Sequence, residues 1–349
     1  MKQRYDKSNL IEKIVSDTQL RRELVRKSHK AFFMIYLRHY LKYNFAFFHN
    51  EMFRITQNYH HKLNVVMAFR GCGKSTILNL SNVLWSILGI HQKKFILIIG
   101  KTRIQAQGHF ENIKYELETN ELLKEDLGPF RENQSIWGSY TIEIPNLDAK
   151  IMCLSYKQNI RGLRHHSCRP DLIICDDLED SISVQDSDER KQLFDWFSNE
   201  VLEIGDEKTN IVVLGNLPHE DCLMVRLYKL IKRGEINGKF FAYPILDDNN
   251  KILWSEKFPN REAILKVKNS LPKPNKYEFA SVWERDYLLD ISHIKNLGNY
   301  RHEKKEDKPI TRGGKTRKSF KISAPKWAHG VVWDFEDQYF ENVSDDEGW

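Results

Sequence analysis

The chain has 349 residues, of which 41% are hydrophobic and 29% charged, a composition that excludes a disordered protein and predicts one large or two ordinary globular domains. Its net charge of +6 is compatible with nucleic acid as a partner, although a solvated surface with a slight lysine excess explains it equally well. Five cysteines without C-x-x-C spacing predict a reducing, cytosolic setting, and no apolar run approaches the length of about 18 residues that a membrane span requires.

Residues 1–60 are predicted to form an N-terminal helical region, because apolar residues recur at helical spacing from about residue 8 to residue 43. An aromatic-rich turn at 44–51 and one short helix follow. A packed aromatic core explains this turn as well as a nucleotide contact does. The candidates for contacts with an adenine ring are Phe48, His49 and Gln57.

Residues 65–76, VVMAFRGCGKST, have the pattern of a phosphate-binding loop between a strand and a helix. Backbone N–H groups in such a loop point at anionic oxygens. The Lys74 ammonium would reach the β- and γ-phosphates, and the Ser75 hydroxyl would bind Mg²⁺. The consensus G-x-x-x-x-G-K-S/T has glycine where this chain has Ala68, and Arg70 lies inside the loop. The predicted nucleotide-binding residues of the loop are Arg70, Gly71, Cys72, Gly73, Lys74, Ser75 and Thr76.

Residues 61–245 alternate strand-like apolar runs with helical patterns, which predicts an α/β fold with a mainly parallel sheet covered by helices on both faces. The apolar runs lie at 65–69, 94–100, 150–155, 171–176 and 210–215. The helical patterns lie at 75–88, 102–123, 186–204 and 221–232. Such sheets bind ligands beyond the carboxyl ends of their strands, where the phosphate-binding loop, Asp176 and Gly215 fall.

The run LIICDDLED at 172–180 is an apolar strand that ends in carboxylates. A strand holds a carboxylate rigidly at the sheet edge, where Asp176 is the candidate for binding Mg²⁺. Asp177 and Glu179 are both candidates for polarising the attacking water. Taken alone, an acidic run after a strand is better explained as the start of a helix, where anions are favoured. The phosphate-binding loop upstream favours the catalytic interpretation.

Two further loops carry candidate residues. In the loop NIRGLR, Arg161 and then Arg164 are candidates for stabilising the charge that develops at the γ-phosphate, although spacing alone favours an ordinary surface pair. In the turn GNLPHED, Asn216 at a strand end could sense the γ-phosphate, and the alternative is an ordinary turn. The HHSC run at 165–168 fits no usual zinc spacing, so no zinc site is predicted there.

The C-terminal part changes character. Residues 246–292 are predicted to form a helical lid or linker, with helical patterns at 261–270 and 277–289 and a proline-containing linker between them. Residues 293–349 form a basic and then acidic tail that we expect to be partly disordered. A basic tail can bind nucleic acid, and a solvated linker is an equal alternative.

The motifs FRGCGKST, NELLKEDLG, IRGLR, RPDLIICDDLED and GNLPHED, in this order, resemble the large terminase subunit of tailed bacteriophages over residues 17–290. The resemblance implies a P-loop NTPase domain of the RecA-like, additional-strand (ASCE) type. It implies an ATPase that uses ATP and Mg²⁺ to translocate double-stranded DNA into a procapsid.

The resemblance also implies roles for single residues. The family's deviant phosphate-binding loop carries an arginine where Arg70 stands, and its trans-acting arginine matches Arg161. Its coupling motif usually reads G-T-P, so Gly215-Asn216 departs from it and Asn216 takes the threonine position. The family often has glutamate directly after the metal-binding aspartate, where this chain has Asp177.

The partners implied by the resemblance are a portal protein ring, a small terminase subunit and further copies of the chain in a ring, a pentamer, on the portal, with a monomer in solution as an alternative. The setting is the host cell cytoplasm, with no membrane partner. Family members normally carry a C-terminal nuclease with several carboxylates around two metal ions. Here Asp334, Glu336 and Asp337 resemble only its first strand, so we expect the nuclease to be encoded separately, split by an intervening element, or lost by truncation.

Two other functions are compatible with the same motifs. One is a helicase-like or other RecA-type ATPase that depends on nucleic acid, although no second motor domain is visible. The other is a non-catalytic terminase remnant that binds DNA or a partner. Intact Lys74, Ser75 and Asp176 argue against the second alternative.

Overall fold

The computed structural model describes four stretches of the chain: residues 7–131, 135–247, 249–272 and 281–289. The predicted tail at 293–349, with Asp334, Glu336 and Asp337, lies outside the described residues. Most of the short proline-containing linker after residue 270 also lies outside them. Among the described residues, no helix is both long and apolar enough to cross a membrane.

A seven-stranded sheet lies at the centre of the fold. Its strands are β1 Leu63–Ala68, β2 Phe95–Gly100, β3 Thr141–Ile144, β4 Ala149–Ser155, β5 Leu172–Asp176, β6 Asn210–Gly215 and β7 Gly238–Tyr243. Their order is β3-β4-β2-β5-β6-β1-β7, and every neighbouring pair is parallel except β3 with β4. The mainly parallel sheet is therefore confirmed, and β6 is the additional strand between β1 and β5.

Helices cover both faces of the sheet, as predicted. They are α1 Lys7–Ser16, α2 Thr18–Lys27, α3 His29–Tyr36, α4 Phe47–Asn58, α5 Asn82–Leu88, α6 Arg103–Thr119, α7 Glu121–Leu127, α8 Ser187–Trp196, α9 Leu223–Lys232 and α10 Arg261–Ser270. A π-helical segment, Thr76–Ser81, precedes α5. Successive strand residues point to opposite faces, so Val66 belongs to the hydrophobic cluster that includes α3 to α7, and Val65 belongs to the cluster that includes α8 and α9.

The N-terminal helices pack into the same core as the sheet. The indole N–H of fully buried Trp85 donates to the Val25 carbonyl over 2.7 Å. The Arg21 guanidinium makes two hydrogen bonds, of 2.8 and 2.7 Å, to the carboxylate of Asp126, and Tyr36 donates a third. Asp126 is 0% exposed, so a buried ion pair joins α2 to α7.

Two elements differ from the sequence prediction. The helical pattern at 102–123 is two helices, because Asn120 has extended backbone angles and its side chain accepts a hydrogen bond from the Leu123 N–H over 3.1 Å. No prediction covered β7, an edge strand that pairs with β1. It begins at a glycine, and only Ala242 and Tyr243 of its residues are buried, so its pattern is weak.

Candidate active site

The phosphate-binding loop leaves the carboxyl end of β1 and turns through two glycines with positive φ, 73° at Gly71 and 90° at Gly73. Only glycine adopts such angles readily, which explains the glycines of the motif. The Gly71 carbonyl accepts from the Lys257 ammonium over 2.6 Å, and the Cys72 carbonyl accepts from His49 Nε2 over 2.7 Å. Both carbonyls are thus bonded within the protein, and the loop then enters the π-helical turn at Thr76.

Lys74 is nearly buried and lies next to the carboxyl ends of two other strands. Its ammonium donates to Asn216 Oδ1 over 3.0 Å and is 3.8 Å from Asp177 Oδ1. Burial alone lowers the pKa of Lys74, but the charges of Asp177 and Asp176, among others, outweigh it and leave the pKa above its ordinary value. The lysine is therefore a fixed positive charge at this edge of the sheet.

Asp176, the last residue of β5, is 0% exposed and faces the phosphate-binding loop. Its Oδ1 accepts from the Ser75 hydroxyl over 3.3 Å, and its Oδ2 accepts from the Asn79 amide over 3.1 Å. His109 Nε2 is 3.5 Å from the same Oδ2. Two neighbouring ligands of octahedral Mg²⁺ lie about 2.9 Å apart, so the hydroxyl and carboxylate oxygens suit this hard cation in type and spacing.

Asp177 follows with a left-handed backbone, φ 48°, while its N–H still bonds the Leu214 carbonyl over 3.0 Å. This conformation turns its carboxylate toward Lys74. Burial raises the pKa of Asp177, the Lys74 charge lowers it, and the neighbouring Asp176 raises it, with a net increase. The raised pKa makes Asp177 a better proton acceptor than an exposed aspartate.

A cavity of about 390 Å³ lies at this edge of the sheet. It is lined by Asp177, Asn216 and Glu179. Glu179 Oε2 accepts from the Leu223 N–H at the start of α9 over 2.8 Å. Its Oε1 is buried and has no hydrogen-bond partner among the described residues. Burial raises the pKa of Glu179 to about 7.

Arg70 lies at the rim of this cavity. Its backbone N–H donates to the Asp286 carbonyl over 2.8 Å, and its Nε is 3.7 Å from Asp286 Oδ2. The Arg70 side chain is 63% exposed, so the guanidinium can turn toward a bound anion. A second hydrogen bond holds the segment that carries Asp286: the Ile245 N–H donates to the Tyr287 carbonyl over 2.8 Å.

The structure does not bring every predicted residue to the phosphate-binding loop and the strand-end carboxylates. Arg161 is 70% exposed, its Nε lies 3.7 Å from Glu200 Oε1, and Arg164 is also exposed. Among the described residues, neither arginine makes a hydrogen bond or an ion pair with the phosphate-binding loop, Asp176 or Asp177. Within one chain they are surface residues, as the spacing alone favoured.

The adenine candidates divide into two kinds. Phe48 and His49 are 2% and 1% exposed and lie in an aromatic cluster with Trp254, so the packed-core interpretation describes them. His49 Nδ1 accepts from the Ala46 N–H, which leaves Nε2 as the donor to the loop, and burial lowers the His49 pKa to about 4. Gln57 accepts from the His29 N–H over 3.4 Å, and its role remains a prediction.

Several residues at the site escaped sequence reasoning. Asn79 lies one helical turn after Ser75, and His109 lies one turn after Gln105, whose amide donates to the carbonyl of Asp176 over 3.1 Å. The i to i+4 spacing in helices that follow strand ends is the signal that could have found them. Asp286 had no comparable signal, because it meets the loop only through tertiary packing.

No family model and no curated protein sequence matches the chain. Among solved structures, it is similar to the large terminase of bacteriophage HK97, with 14% identity, a TM-score of 0.49, and coverage of 77% of this chain and 55% of that one. The large terminase of the thermophilic bacteriophage D6E in complex with ADP has 11% identity, a TM-score of 0.43, and coverage of 71% and 54%. A mutant large terminase ATPase domain of a Thermus phage has 14% identity, a TM-score of 0.49, and coverage of 76% and 99%. The chain thus spans about half the length of the first two terminases.

Proposed function

We propose that the chain hydrolyses ATP and is the motor subunit of a viral terminase that translocates double-stranded DNA into a procapsid. The observation that carries the ATPase proposal is the meeting of two motifs from separate strands. Ser75 Oγ lies 3.3 Å from Asp176 Oδ1, and Lys74 Nζ lies 3.8 Å from Asp177 Oδ1. A phosphate-binding loop and a strand-end carboxylate pair in this relation are the parts that phosphoryl transfer needs.

The nucleotide phosphates would lie against the loop N–H groups. The Lys74 ammonium would leave its contacts with Asn216 and Asp177 and contact the phosphate oxygens instead. Ser75 and Asp176 would hold Mg²⁺, which neutralises charge on the β- and γ-phosphates when bound. The Arg70 guanidinium at the rim adds a second positive charge from the same chain.

We assign activation of the attacking water to Asp177 rather than Glu179. When Lys74 moves to the phosphate, the Asp177 carboxylate loses its counter-charge and becomes free to accept a proton from water. The water oxygen then bonds the γ-phosphorus as the bond to the β-phosphate oxygen breaks, giving ADP and phosphate. Glu179 Oε2 is already bonded to the Leu223 N–H, which favours a positioning role.

A trans-acting role for Arg161 suits its position, because a 70% exposed guanidinium can reach a neighbouring subunit. The motif resemblance is the basis for the proposed partners, which are a ring of further copies, the portal and the small terminase subunit. It is also the basis for the proposed DNA translocation and for the host cytoplasm as the setting. Asn216 is proposed to couple hydrolysis to movement, because its hydrogen bond from the Lys74 ammonium would break each time nucleotide binds.

The test is ATP turnover by the full chain with and without double-stranded DNA. Lys74→Ala should reduce turnover by about 100-fold or more, as expected for loss of a charge that stabilises the transition state. Lys239→Ala, at an exposed lysine on the edge strand, is the matched control and should keep turnover. Full turnover by Lys74→Ala would refute the assignment of the loop.

The same assay separates the other candidates. Asp177→Asn should lose turnover by about 100-fold or more, whereas Glu179→Gln should retain most of it. Stimulation of turnover by duplex DNA without strand separation supports a packaging motor. Strand separation would favour a helicase-like ATPase, and nucleotide binding without turnover would favour a non-catalytic subunit.

A further inference from the structure

A cluster of metal-binding side chains lies away from the phosphate-binding loop, at the amino ends of β4 and β5. It consists of Asp148, in the turn before β4, and of His165 and His166, in the loop before β5. The strands are parallel, so this edge is opposite the one that carries the ATP site. Nothing in the proposed ATPase chemistry uses the cluster.

The spacing of the three side chains matches a coordination shell. Asp148 Oδ1 is 3.4 Å from His165 Nε2 and 3.5 Å from His166 Nε2, and the three ligand atoms all lie within 4.8 Å of one another. Ligands of tetrahedral Zn²⁺ at bond lengths of about 2.0 to 2.1 Å are separated by about 3.3 Å. The carboxylate–imidazole distances are therefore close to two edges of a zinc tetrahedron.

His165 supplies an independent observation that points to a ligand. Its side chain is only 6% exposed, and its Nε2 has no hydrogen-bond partner among the described residues. Asp148 Oδ1 is 3.4 Å away without forming a hydrogen bond, and a buried polar nitrogen that makes no hydrogen bond is costly, by about 1 to 3 kcal/mol. This nitrogen is directed into the cluster, where a metal ion would satisfy it.

The backbone holds the cluster in place. The N–H of His165 donates to the Cys168 carbonyl over 2.9 Å, and the N–H of Cys168 donates back over 2.8 Å. The two imidazole rings lie next to each other, with centroids 4.3 Å apart. Asp148 and His166 have φ of 47° and 51°, in the left-handed region where aspartate and histidine occur more often than most non-glycine residues.

We propose that Asp148, His165 and His166 bind one divalent transition-metal ion of the zinc class, with water in the remaining position. Two imidazoles and one carboxylate favour Zn²⁺ over Mg²⁺, because Mg²⁺ prefers oxygen ligands. The ion would join the β3–β4 turn to the loop that carries Arg161 and Arg164. The HHSC pattern did not predict this site, because its third ligand comes from a different hairpin.

The experiment is titration of tag-free, metal-stripped full chain with Zn²⁺ against a chromogenic chelator, and with Co²⁺ followed by its visible absorption. We expect one equivalent to bind, Co²⁺ to give the intense bands of a four-coordinate site, and Zn²⁺ to raise the melting temperature. Asp148→Asn and His166→Asn should each weaken Zn²⁺ binding by more than the factor of about 10 to 100 that a lost outer-shell partner costs. Asparagine tolerates positive φ, so both variants should keep the turn.

His60→Ala, at an exposed histidine elsewhere, is the matched control and should bind Zn²⁺ as the unchanged chain does. The proposal is overturned if Zn²⁺ binds less than stoichiometrically, or if Asp148→Asn and His166→Asn bind it as tightly as the unchanged chain. The melting temperature and the Co²⁺ spectrum need no ATP, so a failure of the ATPase proposal would leave this test intact.

Discussion

Glu179 makes stability depend on pH in an unusual direction, and Glu179→Gln tests it. Burial raises the pKa of this carboxyl from 4.5 to about 7, so the folded chain binds its proton more tightly than the unfolded chain does. Stability from this group is therefore greatest below pH 4.5 and falls as the pH rises through 7. At about 1.4 kcal/mol per pKa unit, the loss reaches about 3 kcal/mol above pH 7.

Glutamine cannot ionise, and its carbonyl oxygen can still accept from the Leu223 N–H. We therefore expect Glu179→Gln to match the unchanged chain near pH 4, below the ordinary pKa of the carboxyl, and to be more stable by about 3 kcal/mol at pH 8. Urea unfolding at a series of pH values measures this difference. Glu256→Gln, at an exposed glutamate, is the control and should give a pH profile parallel to that of the unchanged chain.

Parallel profiles for Glu179→Gln and the unchanged chain would refute the reasoning, because they would mean that the carboxyl ionises equally easily in both states. A profile with the opposite slope would mean that the ionised form is stabilised in the fold. That result would replace burial with nearby positive charge as the dominant influence on this group.

Other substitutions test the packing and the loop. Asp126→Asn should destabilise the fold by about 3 to 5 kcal/mol in urea unfolding, because it leaves the Arg21 charge buried without a counter-charge. The control is Glu121→Gln in an exposed ion pair, which should lower the free energy of unfolding by less than about 1 kcal/mol. Asn120→Ala should cost about 1 kcal/mol through loss of the α7 cap, and an unchanged unfolding midpoint would contradict that role. Gly73→Ala should lower the melting temperature through backbone strain of about 1 kcal/mol or more, since φ is 90° while an added Cβ would have no contact closer than 3.8 Å.

The sheet was predictable because its central strands are buried on both faces and read as continuous apolar runs. Residues 171–176 and 210–215 matched β5 and β6 almost residue for residue. Edge strand β7 escaped because its partner, β1, lies far away in sequence, and pairing rather than composition makes it a strand. The break at Asn120 escaped because the flanking helices have one continuous apolar pattern.

The candidate site was predictable where a strand end places a side chain, which is the case for Asp176 and for Asn216. It was not predictable where helix packing decides the contact, as for His109, or where a late segment folds back, as for Asp286. The position of Arg161 relative to a neighbouring subunit lies beyond any single chain, because it depends on how copies assemble.

The bonds from His49 and Lys257 to loop carbonyls have a thermodynamic consequence. They order the phosphate-binding loop before any anion arrives, so binding loses less conformational entropy than it would with a loose loop. Under the proposed function, weakening either bond would lower nucleotide affinity without removing any phosphate contact. In the proposed ATPase, part of the affinity for ATP would therefore depend on a hydrogen bond from a buried imidazole.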